Sequence, residues 1–190
     1  MPLSHVHKVF AVEDAKITPI TADASGAVTT YGTAIDVVGI QSVEISGNIE
    51  SKTLRGDNTL LDGDAVLTEI TGKLNYAKLS LDVLAAMFTS LTVADSGTAP
   101  NQKTTLALTP TTSRLKAFKF EAKTPTGGVD VSTGDLHIVL YKCVLSAFPD
   151  LGMAEEDYQT GTLEFMAMPT LGTGNKWLDV VVNETAAVIS

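Results

Sequence analysis

Apolar and polar residues alternate along much of this chain, most cleanly between residues 35 and 76. Residues 35–40 form a short apolar run. Beyond it, Val43, Ile45 and Ile49 fall on one side, with Ser42, Glu44, Ser46, Asn48 and Glu50 on the other. A period of two marks an extended chain whose successive side chains point to opposite faces. A second run returns with Val66, Ile70, Leu74 and Tyr76 set against Glu69, Thr71, Lys73 and Asn75. Together the runs predict a β-hairpin with one face in a core and the other in water. Between them, residues 53–64 are rich in Asp, Asn and Gly, which suit turns, and they predict a connection of about a dozen residues. Most hairpins turn in about two to five residues. A loop this long, carrying Leu54, Leu60 and Leu61, needs a cover from its own domain or from another subunit.

The period then changes. Over 80–89, Leu81, Leu84, Ala85 and Phe88 make one helical stripe, Ser80 can cap its start, and Asp82 suits the positive first turn. Further strands are expected at 16–21, 104–109, 115–122, 136–145, 159–168 and 177–182, with 92–103 a polar loop. Pro19 suits an edge strand, and Phe118, Phe120 and Ala122 share one face. The run 136–145 is nearly all apolar and therefore central. The pattern predicts a mainly β domain spanning 1–190: an antiparallel β-sandwich or partly closed barrel with one flanking α-helix, a long hairpin loop and extended terminal arms. Residues 1–34 supply an arm and the first strands, 35–170 the core, and 171–190 a closing strand and tail.

Composition narrows the function more than the fold. With 22 Asp and Glu against 13 Lys and Arg, the net charge is −9, and no cluster of basic residues offers a grip on phosphate. The same field lets nucleic acid pass without sticking. One cysteine, Cys143, excludes an intrachain disulfide and sits in the central apolar run, where a small buried hydrophobe is expected. The first residues lack a signal-peptide core and no apolar run reaches membrane-spanning length, so a cytosol, or a particle assembled there, is the expected setting.

Chemistry-bearing motifs are sparse. His5 and His7 share a side of an extended chain but lack further ligands nearby. Asp57, Asn58, Asp62 and Asp64 miss the spacing of a calcium loop, and Arg55-Gly56-Asp57 is too short a match to carry weight. Glu155, Glu156 and Asp157 lie on a connection, where acids usually meet water. His137 has no nucleophile near it in sequence, and Gly172-Thr173-Gly174 precedes a strand rather than the helix a phosphate loop requires. No enzyme, metal or cofactor is expected.

The order of parts resembles the major tail tube proteins of long, non-contractile phage tails. The resemblance rests on 44–58, running from Glu44-Ile45-Ser46-Gly47-Asn48-Ile49-Glu50 to Arg55-Gly56-Asp57-Asn58, then on the return strand and on 81–87. The later half adds 136–143, the acid-acid-aromatic step of Glu156, Asp157 and Tyr158, and the strand 161–169. The resemblance implies a virion protein, assembled in the host cytoplasm, whose hexameric rings stack into a hollow tube. That tube would enclose a tape-measure protein, meet tail terminator and distal tail proteins, and conduct DNA without binding it specifically. It further implies ring-to-ring contacts at Leu54, Arg55, Asp57, Leu60, Leu61 and Asp62, and a lumen lined by Glu44, Ser46, Asn48, Glu50, Glu69 and Thr71. Lys73 departs from an acidic lining. A monomeric β-sandwich that binds carbohydrate or protein is the alternative; it would place aromatics on an exposed face, whereas Phe118, Phe120, Tyr141, Phe165 and Trp177 lie in core-like strands.

Overall fold

The computed structural model describes residues 8–9, 11–56, 59–78, 80–127, 134–151 and 160–189; for 8, 9, 56, 59–61, 126 and 127 it describes the backbone alone. The elements are β1 (Lys8–Val9), β2 (Asp14–Ala22), β3 (Thr30–Tyr31), β4 (Ile35–Asp36), β5 (Ile40–Gly56), β6 (Thr59–Tyr76), α1 (Leu81–Ala86), β7 (Val93–Ser96), β8 (Lys103–Leu106), β9 (Phe118–Gly127), β10 (Asp135–Leu145), β11 (Gly161–Ala167) and β12 (Leu178–Asn183). The fold is mainly β and antiparallel, with one short helix among the described residues.

The main sheet runs β3-β2-β9-β10-β11-β6-β5. As its apolar sequence implies, β10 is central. It pairs with β9 on one side; on the other, its first half (135–140) pairs with β12 and its end (143–145) with β11. The β9 register slips between Leu140 and Cys143, where the partner changes. A bulge of this kind bends a strand and sharpens its twist. The sheet curls there instead of closing into a barrel, and the wing β11-β6-β5 folds over β9 and β2 as a sandwich.

Between the layers, the Phe165 ring of β11 packs edge-on to Phe118, with centroids 5.9 Å apart, and tilted against Phe120 at 4.8 Å, both on β9. Ile17, Leu74, Leu140, Cys143 and Leu163 complete the dry centre. Tyr141 and Trp177, expected in the core, are only half-buried, and the Tyr141 hydroxyl donates to Asp179 at 2.6 Å.

The helix is shorter than the stripe over 80–89 predicts. Ser80 does cap it, its Oγ accepting from Val83 N at 3.4 Å. However, Met87 and Phe88 donate back to Leu84 and Ala85 in tightened final turns, and Ser90 takes a left-handed φ of 61°. Phe88 leaves the helix to bridge Leu115. Val83 and Met87 join Leu84 and Phe88 in the core while Leu81 and Ala85 are only half-buried, so the buried stripe is rotated from the expected one. The polar loop expected at 92–103 contains β7, which pairs with β8 as a small separate hairpin. Its residues are mostly exposed, so no alternation marked it.

One staple ties distant loops together. Asp23 accepts from Thr29 Oγ1 (3.0 Å), Leu171 N (2.9 Å) and Gly172 N (3.1 Å), while Lys142 Nζ approaches its other oxygen at 2.7 Å. Burial pushes this carboxyl up, but Lys142, Thr29 and the Leu171 N–H more than offset that and hold it below the usual carboxylate value. A lowered folded value means stability that is present above the unfolded value, about 3.9, and is lost as pH falls through the folded one. Asp23→Ala is therefore expected to cost roughly 2–4 kcal/mol at pH 7. In denaturant titrations the gap to the parent protein should narrow as pH falls below about 4. A gap that stays constant with pH would deny the staple its charge.

Candidate functional site

The hairpin β5–β6 is the largest feature that the core does not explain. At its base, residues 43–47 of β5 pair with 70–74 of β6, which is flanked in turn by β11. From Asn48 and Glu69 outward the two strands continue without a third among the described residues. Every described side chain at 46–55 and 62–68 is exposed. At about 3.3 Å per residue, the arm beyond Asn48 extends roughly 25 Å.

This corrects the dozen-residue loop expected over 53–64. Thr53 pairs with Gly63, Leu54 with Asp62, Arg55 with Leu60 and Gly56 with Thr59, leaving only 57–58 between the strands. The register slips at Leu54/Arg55 and so absorbs the odd residue that disguised the ladder. Asp62 and Gly63, turn formers by composition, are strand residues here, and Asp62 Oδ1 accepts from Gly63 N at 2.8 Å. Arg55 and Asp62 are exposed, as is Leu54 at 61%; Leu54 does not fold back onto the domain. Asp57 and the side chains of Leu60 and Leu61 lie outside the described residues, as do His5, His7 and the acidic step at Glu155, Glu156 and Asp157.

A second slip, at Asn48/Ile49, leaves Thr68 as the extra residue, its hydroxyl donating to the Asn48 carbonyl at 3.2 Å. A one-residue shift moves everything beyond it to the other face. Val66, expected beside Ile70, therefore lies opposite Glu50, and Leu67 lies opposite Ile49. The arm thus exposes apolar side chains on both faces: Ile49 (64%) and Leu67 on one, Val66 and Leu54 on the other. A two-stranded ribbon with nothing on either face is marginally stable in water, and exposed apolar surface on it calls for a cover.

The polar face follows the alternation. Ser46 lies opposite Thr71 with their hydroxyls 2.9 Å apart, Asn48 opposite Glu69, and Glu44 opposite Lys73. The strand expected at 159–168 is present as β11, but sequence reasoning did not place it beside this face. Thr162, Glu164 and Met166 of β11 lie opposite Asn75, Lys73 and Thr71, and extend the face. Lys73 Nζ sits 3.5 Å from Glu164. Both are half-exposed, so the pair is worth at most about 1 kcal/mol, but it makes an acid–base–acid row with Glu44. The signal was present in β11, whose odd positions are buried and whose even ones are half-buried.

On the opposite face, Val43 and Ile45 border a cleft of about 430 Å³ with Val12, Ala122, Thr124 and Ile138. Val43, Ile45 and Ile49 share this side of β5, so the cleft runs on into the apolar stripe of the arm. Along its outer side β5 has no partner among the described residues.

Other chemistry-bearing groups lie away from this site. Cys143 is fully buried, and burial pushes its thiol well up. Among the described residues, no three or more of His, Cys, Asp and Glu gather as a metal ion would need, and no helix is long and apolar enough to cross a membrane. No protein-family model and no curated protein matches the chain.

Proposed function

We propose that this chain is a structural assembly subunit, the tube-forming protein of a long, non-contractile phage tail. The observation that carries the reading is the arm: a two-stranded ribbon beyond the core, with Ile49, Leu54, Val66 and Leu67 exposed and the outer edge of β5 unpaired among the described residues. An isolated chain gains little from such an extension, whereas an assembly gains both the covered side chains and the paired edge. Contacts made head to tail propagate along an axis without closing, as a tube requires. The resemblance over 44–58, 81–87 and 136–169 supports the same class.

In this reading, hexameric rings stack around a tape-measure protein, between tail terminator and distal tail proteins, within the virion. Leu54, Arg55, Asp57, Leu60, Leu61 and Asp62 occupy the ring-to-ring contact. The face bearing Glu44, Ser46, Asn48, Glu50, Glu69 and Thr71 lines the lumen, together with Lys73 and Glu164. The excess of acids over bases, net −9, lets DNA slide through without adhering. The chain carries structure rather than catalysis and uses no cofactor. The cleft beside Val43 and Ile45 favours a second reading, a monomeric module that binds protein or carbohydrate.

Negative-stain electron microscopy of the concentrated protein, with light scattering, separates the two. Rings or hollow tubes are expected. A monomer at every concentration up to the solubility limit would favour the binding module.

A further inference from the structure

The face of β2, β9 and β10 turned away from the aromatic core is charged, yet its centre is buried. Glu121 and His137 are each 5% exposed, Asp135 is 1% exposed, and Lys119 is nearly as deep. His137 Nδ1 lies 2.9 Å from Glu121 Oε1, and Nε2 lies 3.0 Å from Asp135 Oδ2, the latter contact off the hydrogen-bond line. Lys119 Nζ reaches the other Glu121 oxygen at 3.2 Å. An imidazole with a carboxylate at each nitrogen is matched only when both nitrogens carry protons. With the ring charged, two cations balance two anions.

The segment 184–189, which follows β12, lies against Asp135 and the lysines beside the cluster. It is held through its backbone. Ala187 N donates to Asp135 Oδ2 at 2.8 Å, and Lys123 and Lys16 reach the carbonyls of Ala187 and Ile189 at 3.5 and 3.4 Å. Asn183 Nδ2 donates to the other Asp135 oxygen at 2.8 Å, and the Ile189 side chain is buried. Asp135 therefore joins the histidine cluster to this segment.

We propose that His137 operates a pH-sensitive clasp: as an imidazolium it holds Glu121 and Asp135 together, Asp135 holds residues 184–189 across the sheet, and deprotonation releases that segment. The surrounding charges set the direction. From β9, Lys119 and Lys123 face the cluster; from β2, Asp14 and Lys16; from β4, Asp36. Lys123 is also engaged by Glu13 at 3.6 Å. On β12, Asp179 is turned to Tyr141 and Lys176. Losing the imidazole proton leaves two buried carboxylates against a neutral ring, with the lysines already committed. Burial pushes Asp135 up, but Asn183, His137 and the Ala187 N–H hold it below the usual carboxylate value, so it keeps its charge well into acid. The clasp is closed while the ring carries both protons and opens when the ring loses one. It does not depend on the assembly reading.

Ring ¹⁵N shifts of His137, with amide exchange across 184–189, test this in the full chain. An imidazolium is expected while the Ala187 amide is protected. Raising pH through the ring titration should then speed exchange at 184–189 by roughly tenfold beyond the intrinsic pH dependence. Ala187→Pro removes the N–H and spares the buried charges; it should abolish both the protection and its pH dependence. His137→Gln should leave the segment open across the pH range. A neutral ring in the protected state, or exchange that follows the intrinsic rate alone, overturns the clasp, as does protection that survives Ala187→Pro.

Discussion

Gly72→Ala is expected to destabilise the fold by roughly 3 kcal/mol, far more than one methyl group suggests. Gly72 sits on β6 opposite Phe165, and a Cβ there would overlap the Phe165 ring at Cε2 and Cζ. The ring cannot step aside, because Phe118 and Phe120 hold it from the other layer and it is fully buried. Interiors at crystal-like density transmit such an insertion as strain. Gly63→Ala, on the same strand but out in the arm, is the control: its nearest neighbours would lie 3.9 Å from the new carbon, so stability should stay within about 0.5 kcal/mol. Chemical denaturation of both variants, with Gly72→Ala/Phe165→Leu as the third corner, reads the coupling. A double variant no more stable than Gly72→Ala would place the clash elsewhere.

The second large effect separates folding from assembly. Ile49→Lys with Leu67→Glu exchanges an exposed apolar cross-strand pair for an opposite-charge pair, so the ladder keeps a favourable contact. Neither side chain belongs to the core, and the melting temperature should hold within about 3 °C. If the arm docks on another subunit, each contact loses about 1.5–3 kcal/mol per side chain, and the concentration needed for tubes should rise at least about 100-fold. Sedimentation or light scattering against concentration measures this. Unchanged polymerisation with an unchanged fold would remove the arm from the interface.

How much of this was legible in the sequence depended on how local each cause was. Ser80 capped its helix because capping needs only the next turn. Glu44, Ser46, Asn48 and Thr71 shared a face because alternation is a property of each strand alone. The arm was harder to see: Asp62-Gly63-Asp64 has the chemistry of a turn, and only the facing strand makes it a ladder. Val66 changed sides through a bulge that no residue type announces. Glu164 joined the polar row through a partner about 90 positions away, in a strand whose pairing the alternation did not specify.

By itself, then, the sequence determined the β class, the central place of β10, the two-faced base of the hairpin and the net acidic charge, because periodicity and charge are written residue by residue. Only the tertiary structure decided where the sheet curls, that the hairpin stands clear of the core, and that Asp135, His137 and Glu121 lie buried together with Ala187 bonded to Asp135. Those outcomes depend on which strands meet and in what register. They are fixed by the competition of long-range contacts for the same faces, and no single stretch of chain contains that competition.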